Sequence, residues 1–253
     1  MFVSALEQFK ILPLVNIYFG FFDFSVTNST IMILLVFFFL FVLSQLLTNS
    51  KNNSVFFIFK KWLIVFSGMY SLILGVVVEN IGITHGAKFF PFVFSVFLFI
   101  LSLNLIGLVP YTFTVTSHFI ATLVFSLFIF LGINILTFLN HGLKFFSLFL
   151  PSGTSVILGF LLVPIELISY IFRPISLAIR LFANIMAGHT LLKIIAGLGF
   201  VLMTAGSFGF LLHYLPIFML VPLFLLEVGV SFIQAFVFSL LVAMYINSAV
   251  NLH

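Results

Sequence analysis

Charge is what this sequence has least of. Its 253 residues include nine basic and five acidic side chains, 6% of the chain, whereas 64% of the residues are apolar. Soluble globular domains contain about 25% charged and 45–50% apolar residues. Because so few polar side chains cannot cover the surface of a water-soluble protein of this length, a soluble enzyme is excluded. The mean hydropathy of +1.42 indicates an integral membrane protein.

The sequence also contains no cysteine. This absence excludes disulfides, thiolate metal sites and cysteine nucleophiles. The nine basic residues are dispersed and form no basic stripe of the kind that binds nucleic acid. The six histidines are scattered without the paired spacing of haem ligands on facing helices. We therefore expect no metal, no other cofactor and no nucleic-acid partner.

Long apolar runs dominate the sequence, and about 20 such residues suffice to cross a bilayer as a helix. The start of the sequence lacks a cationic stretch followed by a short apolar run, so no removable secretory signal is expected. We predict a single membrane domain over residues 1–253. Its predicted parts are a lead-in at 1–28, a first span at 29–48, an interfacial helix at 62–78, a helical hairpin at 89–139, and two long helices at 154–197 and 215–250.

The apolar stretch at 62–78 is short enough either to cross the membrane or to lie in its interface. If it does not cross, the lysines at positions 51, 60, 61, 88 and 144 all lie on one side, whereas a crossing would separate the last two from the first three. Positive residues concentrate on one side of membrane proteins. The lysine distribution therefore predicts an interfacial or re-entrant helix.

The last two apolar stretches each exceed 35 residues. Because a perpendicular crossing needs only about 20 residues, strong tilt is expected. The predicted fold class is an all-α integral membrane protein with about five transmembrane helices plus one interfacial or re-entrant helix, the last two helices being long and strongly tilted. A glycine-rich link is predicted between those two, containing Gly197, Gly199, Gly206 and Gly209.

Charged side chains inside these apolar helices are the informative exceptions. An arginine or acid at mid-membrane costs about 2.5–3.5 kcal/mol on insertion scales and is a functional hypothesis by default. Glu166, Arg173 and Arg180 follow one another at intervals of seven residues. Because seven residues nearly complete two helical turns, the three side chains share one helix face, and Asn184, four residues further on, joins it.

Three more polar residues lie within the last two apolar stretches. His189 follows Arg180 by nine residues and therefore points to the opposite flank of the helix. Glu227 and Gln234, seven residues apart, share a face of the last helix. Small residues near His189 permit the close approach of another helix. These small residues are Ala183, Ala187 and Gly188.

Purely structural roles are open for several of these polar residues. Three amides could simply form hydrogen bonds between helices, a common use of amides in membranes. Arg173 could serve only as an ion-pair partner for Glu166. A static ion pair explains Glu227 less well, because no basic residue lies within a turn or two of it in the sequence. The three amides are Asn104, Asn184 and Gln234.

Together, the acids, the imidazole and the arginine suggest a proton path. A carboxylate and an imidazole in a wet cavity can each take up and release a proton near neutral pH. Arginine cannot release its proton in a protein, so a fixed arginine acts as an electrostatic gate. Acids on both sides of Arg180 suggest two aqueous half-pathways that do not meet. The proton then needs a carrier, which implies a partner that bears its own membrane carboxylate.

The segment Ser176–Leu192, SLAIRLFANIMAGHTLL, is diagnostic. It resembles the arginine motif of subunit a of F-type ATP synthases, the proton-channel stator subunit that faces the rotating c-ring. The resemblance covers most of the chain from about residue 85 onward, and the first 80 residues match only in hydropathy. The other segments that carry it are Asn104–Tyr111, Thr114–Phe119, Pro164–Ser169, Arg173–Leu177 and Glu227–Tyr245.

The resemblance implies a non-catalytic proton-channel subunit that has no nucleotide site and couples proton flow to ATP synthesis. It implies that Arg180 interacts with the ring carboxylates and separates two half-channels. By the same resemblance, His189 and Glu227 line the inlet half-channel, and Glu166 belongs to the outlet half-channel. The residues that the resemblance places beside the arginine are Asn184 and Gln234, with Arg173 and Asn104 as supporting candidates.

The resemblance also implies partners and a location. The implied partners are the c-ring subunits, the peripheral-stalk and other membrane-sector subunits and the lipid bilayer, and a dimer of whole complexes is also open. His189 paired with Glu227 is similar to the mitochondrial and related alphaproteobacterial arrangement, whereas many bacterial members exchange the two residue types. A multi-pass protein of the mitochondrial inner membrane is therefore expected, with the bacterial plasma membrane as the alternative.

Two other classes of protein stay open. A stand-alone proton-coupled secondary transporter would explain intramembrane charges, but such folds usually show repeated halves, and the sequence shows no convincing repeat. A structural subunit of a respiratory complex would explain the hydropathy but not the set of polar residues inside the helices.

Overall fold

The computed structural model describes residues 7–19, 22–49, 56–109, 112–142, 145, 156–204 and 212–250. Six α-helices lie within these ranges, and all six are long and apolar enough to cross a membrane. The expected all-α membrane fold is confirmed. The helices are α1 (Asn28–Asn49), α2 (Phe56–Ile81), α3 (Ile83–Gly107), α4 (Phe119–His141), α5 (Val156–Thr204) and α6 (Tyr214–Val250).

The two long helices are present, and α5 is longer than the sequence pattern predicted. It has 49 residues and continues through Gly197 and Gly199 to Thr204. A glycine in a helix costs about 1 kcal/mol relative to alanine, whereas an unpaired backbone group in lipid costs several kcal/mol. The helix therefore continues through the first part of the predicted link. The other two link glycines, Gly206 and Gly209, lie outside the described residues.

Helix α2 also extends beyond its predicted interval of 62–78 and has 26 residues. Length and composition allow it to cross, with a mean hydropathy of 1.8 over Ile64–Ile81. The residue that follows the end of α2 is Gly82, which has a φ of 88° and donates its N–H to the Val78 carbonyl at 3.0 Å. A positive φ suits glycine, and this arrangement is a common helix C-terminus. The interfacial placement of α2 stays a prediction.

Part of the predicted lead-in forms regular structure that the sequence pattern did not indicate. Strand β1 (Pro13–Val15) pairs antiparallel with β4 (Val26–Thr27), and β2 (Tyr18–Phe19) pairs antiparallel with β3 (Phe22–Asp23). A 3-10 turn, Glu7–Phe9, precedes them. Strands this short bury little surface, which is why hydropathy gave no signal for them.

Two compact units divide the chain. The first consists of Met1–Leu43, Phe99–Phe119 and Leu181–Ala235. Val36 and Ile100 are fully buried, and the rings of Phe37 and Phe99 are 5.3 Å apart. This unit also holds several buried polar side chains, among them Asn104 and Glu227.

The second unit consists of Ser44–Leu98, Ile120–Arg180 and Phe236–His253. Within it, the Ser126 hydroxyl of α4 donates to the Pro174 carbonyl of α5 at 3.0 Å. The Nε2 atom of His141 lies 3.0 Å from the Ala249 carbonyl oxygen, at the ends of α4 and α6. Because lipid does not drive apolar helices together, such packing and polar contacts hold membrane helices in place. Its fully buried apolar side chains include Ile73, Val77 and Val93.

Candidate functional site

A cavity of about 220 Å³ in the first unit brings together three of the predicted site residues. Asn184 and His189 face it from α5, and Glu227 faces it from α6. Apolar side chains make up most of the remaining wall. These are Leu108, Ile185, Ala187, Leu191, Leu226 and Val230, together with Gly188.

Glycine at position 188 allows the Glu227 carboxylate to lie against α5. A β-carbon built at Gly188 would lie 2.9 Å from Cδ of Glu227, closer than non-bonded carbons approach. Any larger residue would therefore displace the carboxylate or separate the two helices. The close approach that the small residues predicted thus occurs at Gly188, and the group that approaches is the acid itself.

The cavity walls and their surroundings contain buried polar atoms without protein partners. Among the described residues, both carboxylate oxygens of Glu227 and Nε2 of His189 are buried and have no hydrogen-bond partner. The same holds for the hydroxyl of Ser231, one turn after Glu227. More than 90% of buried polar groups in proteins are hydrogen-bonded, and leaving one unpaired costs about 1–3 kcal/mol. A cavity of this size has room for several waters, each of which needs roughly 30 Å³.

Ser231 was missed by the sequence interpretation. It is fully buried in the first unit, as is Asn104 on α3, whose two amide atoms also have no hydrogen-bond partner among the described residues. The spacing in the sequence could have indicated Ser231, because this residue follows Glu227 by four positions and therefore shares its helix face. Serine is so common in membrane helices that this spacing alone did not distinguish it.

An aromatic residue from the beginning of the chain also reaches this site. The ring of Phe9 lies 6.4 Å from the His189 ring, centroid to centroid, with an angle of 77° between the two planes. This edge-to-face arrangement is a preferred geometry of aromatic pairs. No pattern in the sequence connects Phe9 with His189, since 180 positions separate them.

The other predicted residues take a range of environments. Gln234 is half-buried on α6 in the first unit. Glu166 is half-buried on α5 in the second unit, and Arg180 is exposed on the same helix. Fourteen residues separate that acid from Arg180, which corresponds to about 21 Å along a helix axis. An ion pair between the two on one helix is therefore excluded.

Arg173 is exposed and lies beside two tyrosine rings in the second unit. Its guanidinium carbon lies 5.8 Å from the ring centroids of both Tyr170 and Tyr245. Cation–π attraction operates at such distances. The Tyr170 hydroxyl donates to the Asn134 side-chain oxygen, which links α5 to α4. Among the described residues, Arg173 thus has tyrosine rings as its neighbours, and the alternative of an ion pair with Glu166 is not what the structure shows.

One histidine lies just before α4, outside the membrane-spanning segments. The His118 ring stacks on Phe113 with centroids 5.2 Å apart. Burial lowers the pKa of His118, because desolvation disfavours the charged imidazolium. We therefore expect a neutral ring at neutral pH.

Comparison with known proteins shows the family of this chain. The ATP synthase A chain family matches residues 28–247. The chain belongs to the ATP synthase A chain family. ATP synthase subunit a of Pylaiella littoralis is 48% identical over 253 residues and is matched over its full length, as is this chain. The protein of the same name from Marchantia polymorpha is 44% identical over 255 residues, with full coverage of both chains.

A third relative is longer than this chain. ATP synthase subunit a-1 of Arabidopsis thaliana is 43% identical over 254 residues, which covers 99% of this chain and 66% of the relative. The family match includes α1 to α5 and most of α6, and therefore every predicted site residue. Membership of the ATP synthase A chain family supports a role as the proton-translocating, non-catalytic subunit of the membrane sector.

Proposed function

We propose that the cavity between Asn184, His189 and Glu227 belongs to the inlet half-channel of this proton-translocating subunit. The observation that carries the proposal is a buried carboxylate and a buried imidazole nitrogen at one cavity, both without hydrogen-bond partners among the described residues. A carboxylate and an imidazole beside one cavity can each take up and release a proton near neutral pH. A purely structural polar pair would be expected to bond its own atoms together.

Arg180 is proposed as the electrostatic gate between the inlet and outlet half-channels. Its exposed position on an apolar helix supports this role, because a cation at mid-membrane costs about 2.5–3.5 kcal/mol unless it faces water or an acid. The carboxylate of a rotating c-ring subunit is the proposed partner. Arginine keeps its proton and can therefore attract a ring carboxylate without carrying the proton across.

The remaining site residues have proposed roles on either side of the gate. Glu166, half-buried on α5, is proposed to release protons through the outlet half-channel. Asn184 and Gln234 are proposed to flank Arg180, and Asn104 is proposed to support the inlet side. Arg173, which lies 5.8 Å from the centroids of two tyrosine rings, is proposed to fix the helix near Glu166.

The proposed setting is the mitochondrial inner membrane. The relatives from algae and land plants are compatible with this setting, and six apolar helices fit a multi-pass protein. The proposed partners are the c-ring, the peripheral stalk and other membrane-sector subunits. The chain itself is proposed to carry no nucleotide site, so ATP synthesis would take place on other subunits of the complex.

The gate is tested by Arg180→Ala in the assembled complex. We expect loss of ATP-driven proton pumping in membrane vesicles while co-purification with the c-ring subunits is retained. Arg180→Lys is also expected to fail, because a point charge does not replace a planar, delocalised cation. Lys88→Ala, which removes another exposed cation from α3, serves as the matched control and is expected to pump. Normal coupled pumping by Arg180→Ala would rule out the gating role.

A stand-alone transporter is the alternative, and reconstitution distinguishes the two. The purified chain alone in liposomes is expected to show no coupled transport, because the proposed carrier carboxylate belongs to a partner. Proton-coupled uptake of a substrate by the chain alone would support the transporter instead.

A further inference from the structure

Among the residues before α1 whose burial the structure describes, one large apolar side chain is buried and many are exposed. Phe9 is 9% exposed. Other large apolar residues of the segment that the structure describes are between 41% and 70% exposed. They are Ile11, Leu12, Leu14, Val15, Ile17, Tyr18 and Phe24. General hydrophobic collapse would bury several of these side chains, so the burial of Phe9 has a local cause.

Phe9 makes an aromatic contact with the His189 ring. The two rings meet edge to face at 6.4 Å. In this geometry the positive edge of one ring meets the negative face of the other. His189 faces the cavity that also contains the Glu227 carboxylate. Phe9 therefore contacts a cavity-lining imidazole whose Nε2 has no hydrogen-bond partner among the described residues.

The chain around Phe9 is held in place from the start of α1. The side-chain oxygen of Asn28 accepts the N–H of Leu12 at 3.3 Å, and its amide donates to the Lys10 carbonyl at 3.2 Å. The backbone N–H of Asn28 donates to the Leu12 carbonyl at 3.2 Å. Three hydrogen bonds thus fix the residues that directly follow Phe9 to the first residue of a membrane helix.

We propose that Phe9 is a positioning residue for His189, holding the imidazole toward the cavity and closing the cavity's His189 side to water. The Asn28 contacts keep Phe9 in position. The Phe9 side chain itself cannot take up or release a proton, because it has no titratable group. This inference rests on the proposed function only in calling the cavity a proton inlet. The contact and its effect on access can be tested without measuring transport.

The test measures access to the cavity with a thiol reporter. Because the chain contains no cysteine, Val230→Cys introduces a single thiol of similar volume into the cavity wall. The whole complex in membrane vesicles is treated with a small, water-soluble methanethiosulfonate reagent, and the labelling rate of this chain is measured. Adding Phe9→Ala is expected to raise the rate by about twofold to tenfold, the factor corresponding to the loss of one aromatic pair.

Phe24→Ala is the matched control, because it removes the same ring from an exposed position of the same segment. It is expected to leave the labelling rate unchanged. A second reporter, Ser239→Cys, has a buried thiol in the other compact unit and detects general loosening. Its labelling rate is expected to stay the same with Phe9→Ala. Equal rates at Val230→Cys with and without Phe9, or equal increases at both reporters, would overturn the proposal.

Phe9→Leu covers the case in which the alanine variant does not assemble. It keeps an apolar side chain but removes the ring edge, so the complex is expected to assemble and to be labelled faster than the parent. A labelling rate equal to that of the parent would also overturn the proposal. Loss of pumping in Arg180→Ala is independent of these rates, so failure of the gate and failure of the Phe9 role are distinguishable.

Discussion

At the scale of single residues, the site depends on one helix position without a side chain. Gly188 on α5 and Glu227 on α6 are so close that a β-carbon at the glycine would overlap the carboxylate group. Glu227 is buried, and its carboxylate oxygens have no hydrogen-bond partner among the described residues. The packing of α5 against the Glu227 carboxylate and the neighbouring cavity therefore define the environment of this acid.

Replacement of Gly188 by alanine is expected to impair proton pumping. The added methyl group must displace the Glu227 carboxylate, and overpacking of this kind typically costs about 1–3 kcal/mol. Gly197→Ala is the matched control on the same helix, because a β-carbon there meets nothing within 4 Å. We expect Gly197→Ala to pump normally in vesicles and Gly188→Ala to pump more slowly. Equal rates for the two variants would contradict the close contact.

A second substitution tests the same contact from the other side. Glu227→Asp shortens the acid by one methylene group and withdraws it from position 188. Combined with Gly188→Ala, it is expected to recover part of the pumping that the single alanine variant loses. Glu227→Asp alone is the control, and if it pumps while the double variant shows no recovery, the methyl group acts elsewhere.

At the scale of helices, the apolar runs in the sequence predicted the long helices that the structure describes. The runs did not predict which residues form the contacts between those helices. Ser126 on α4 is buried, and its hydroxyl donates to Pro174 on α5. A serine in an apolar run looks neutral in the sequence. In the structure its hydroxyl lies 3.0 Å from the Pro174 carbonyl of α5 and 3.1 Å from the Leu123 carbonyl of its own helix, so it can link the two helices.

Removal of the Ser126 hydroxyl is expected to destabilise this helix pair. Hydrogen bonds between membrane helices average about 0.6 kcal/mol and reach about 1.7 kcal/mol, so Ser126→Ala should lower the thermal stability of the purified complex measurably while pumping continues. Ser95→Ala is the control, since the Ser95 hydroxyl donates to the Phe92 carbonyl of its own helix. A shift of equal size in both variants would show that the bond between helices contributes nothing specific.

At the scale of the whole molecule, the course of the chain through the membrane is decided by α2. It is long enough to cross, yet the lysines favour a helix that stays on one side. The alternatives differ in one observable respect. Lys51 and Lys88 lie on the same side of the membrane if α2 does not cross, and on opposite sides if it does.

Single cysteines at these positions test the course of the chain. Because the native chain has no cysteine, Lys51→Cys, Lys88→Cys and Val109→Cys each place one thiol on an otherwise unreactive chain. With an impermeant thiol reagent we expect the first two to be labelled from the same side and Val109→Cys from the opposite side. If Lys51→Cys and Val109→Cys shared a side, α2 would cross.

The sequence by itself determined the solvent of this protein and predicted the polar residues of its candidate site. A chain with nine basic and five acidic residues belongs in lipid, and the few charges inside its helices are too costly to be accidental. Spacing along a helix depends only on backbone geometry, so the shared faces of Glu166, Arg173 and Arg180, or of Glu227 and Gln234, could be read directly.

Only the tertiary structure decided which side chains meet. The contact of Gly188 with Glu227, the rings around Arg173 and the approach of Phe9 to His189 all join residues distant in the sequence. Such contacts depend on how helices and short segments pack, and packing depends on side-chain shapes that no periodicity encodes. The sequence therefore predicted the chemistry of the site, whereas the fold supplied the shape that holds it.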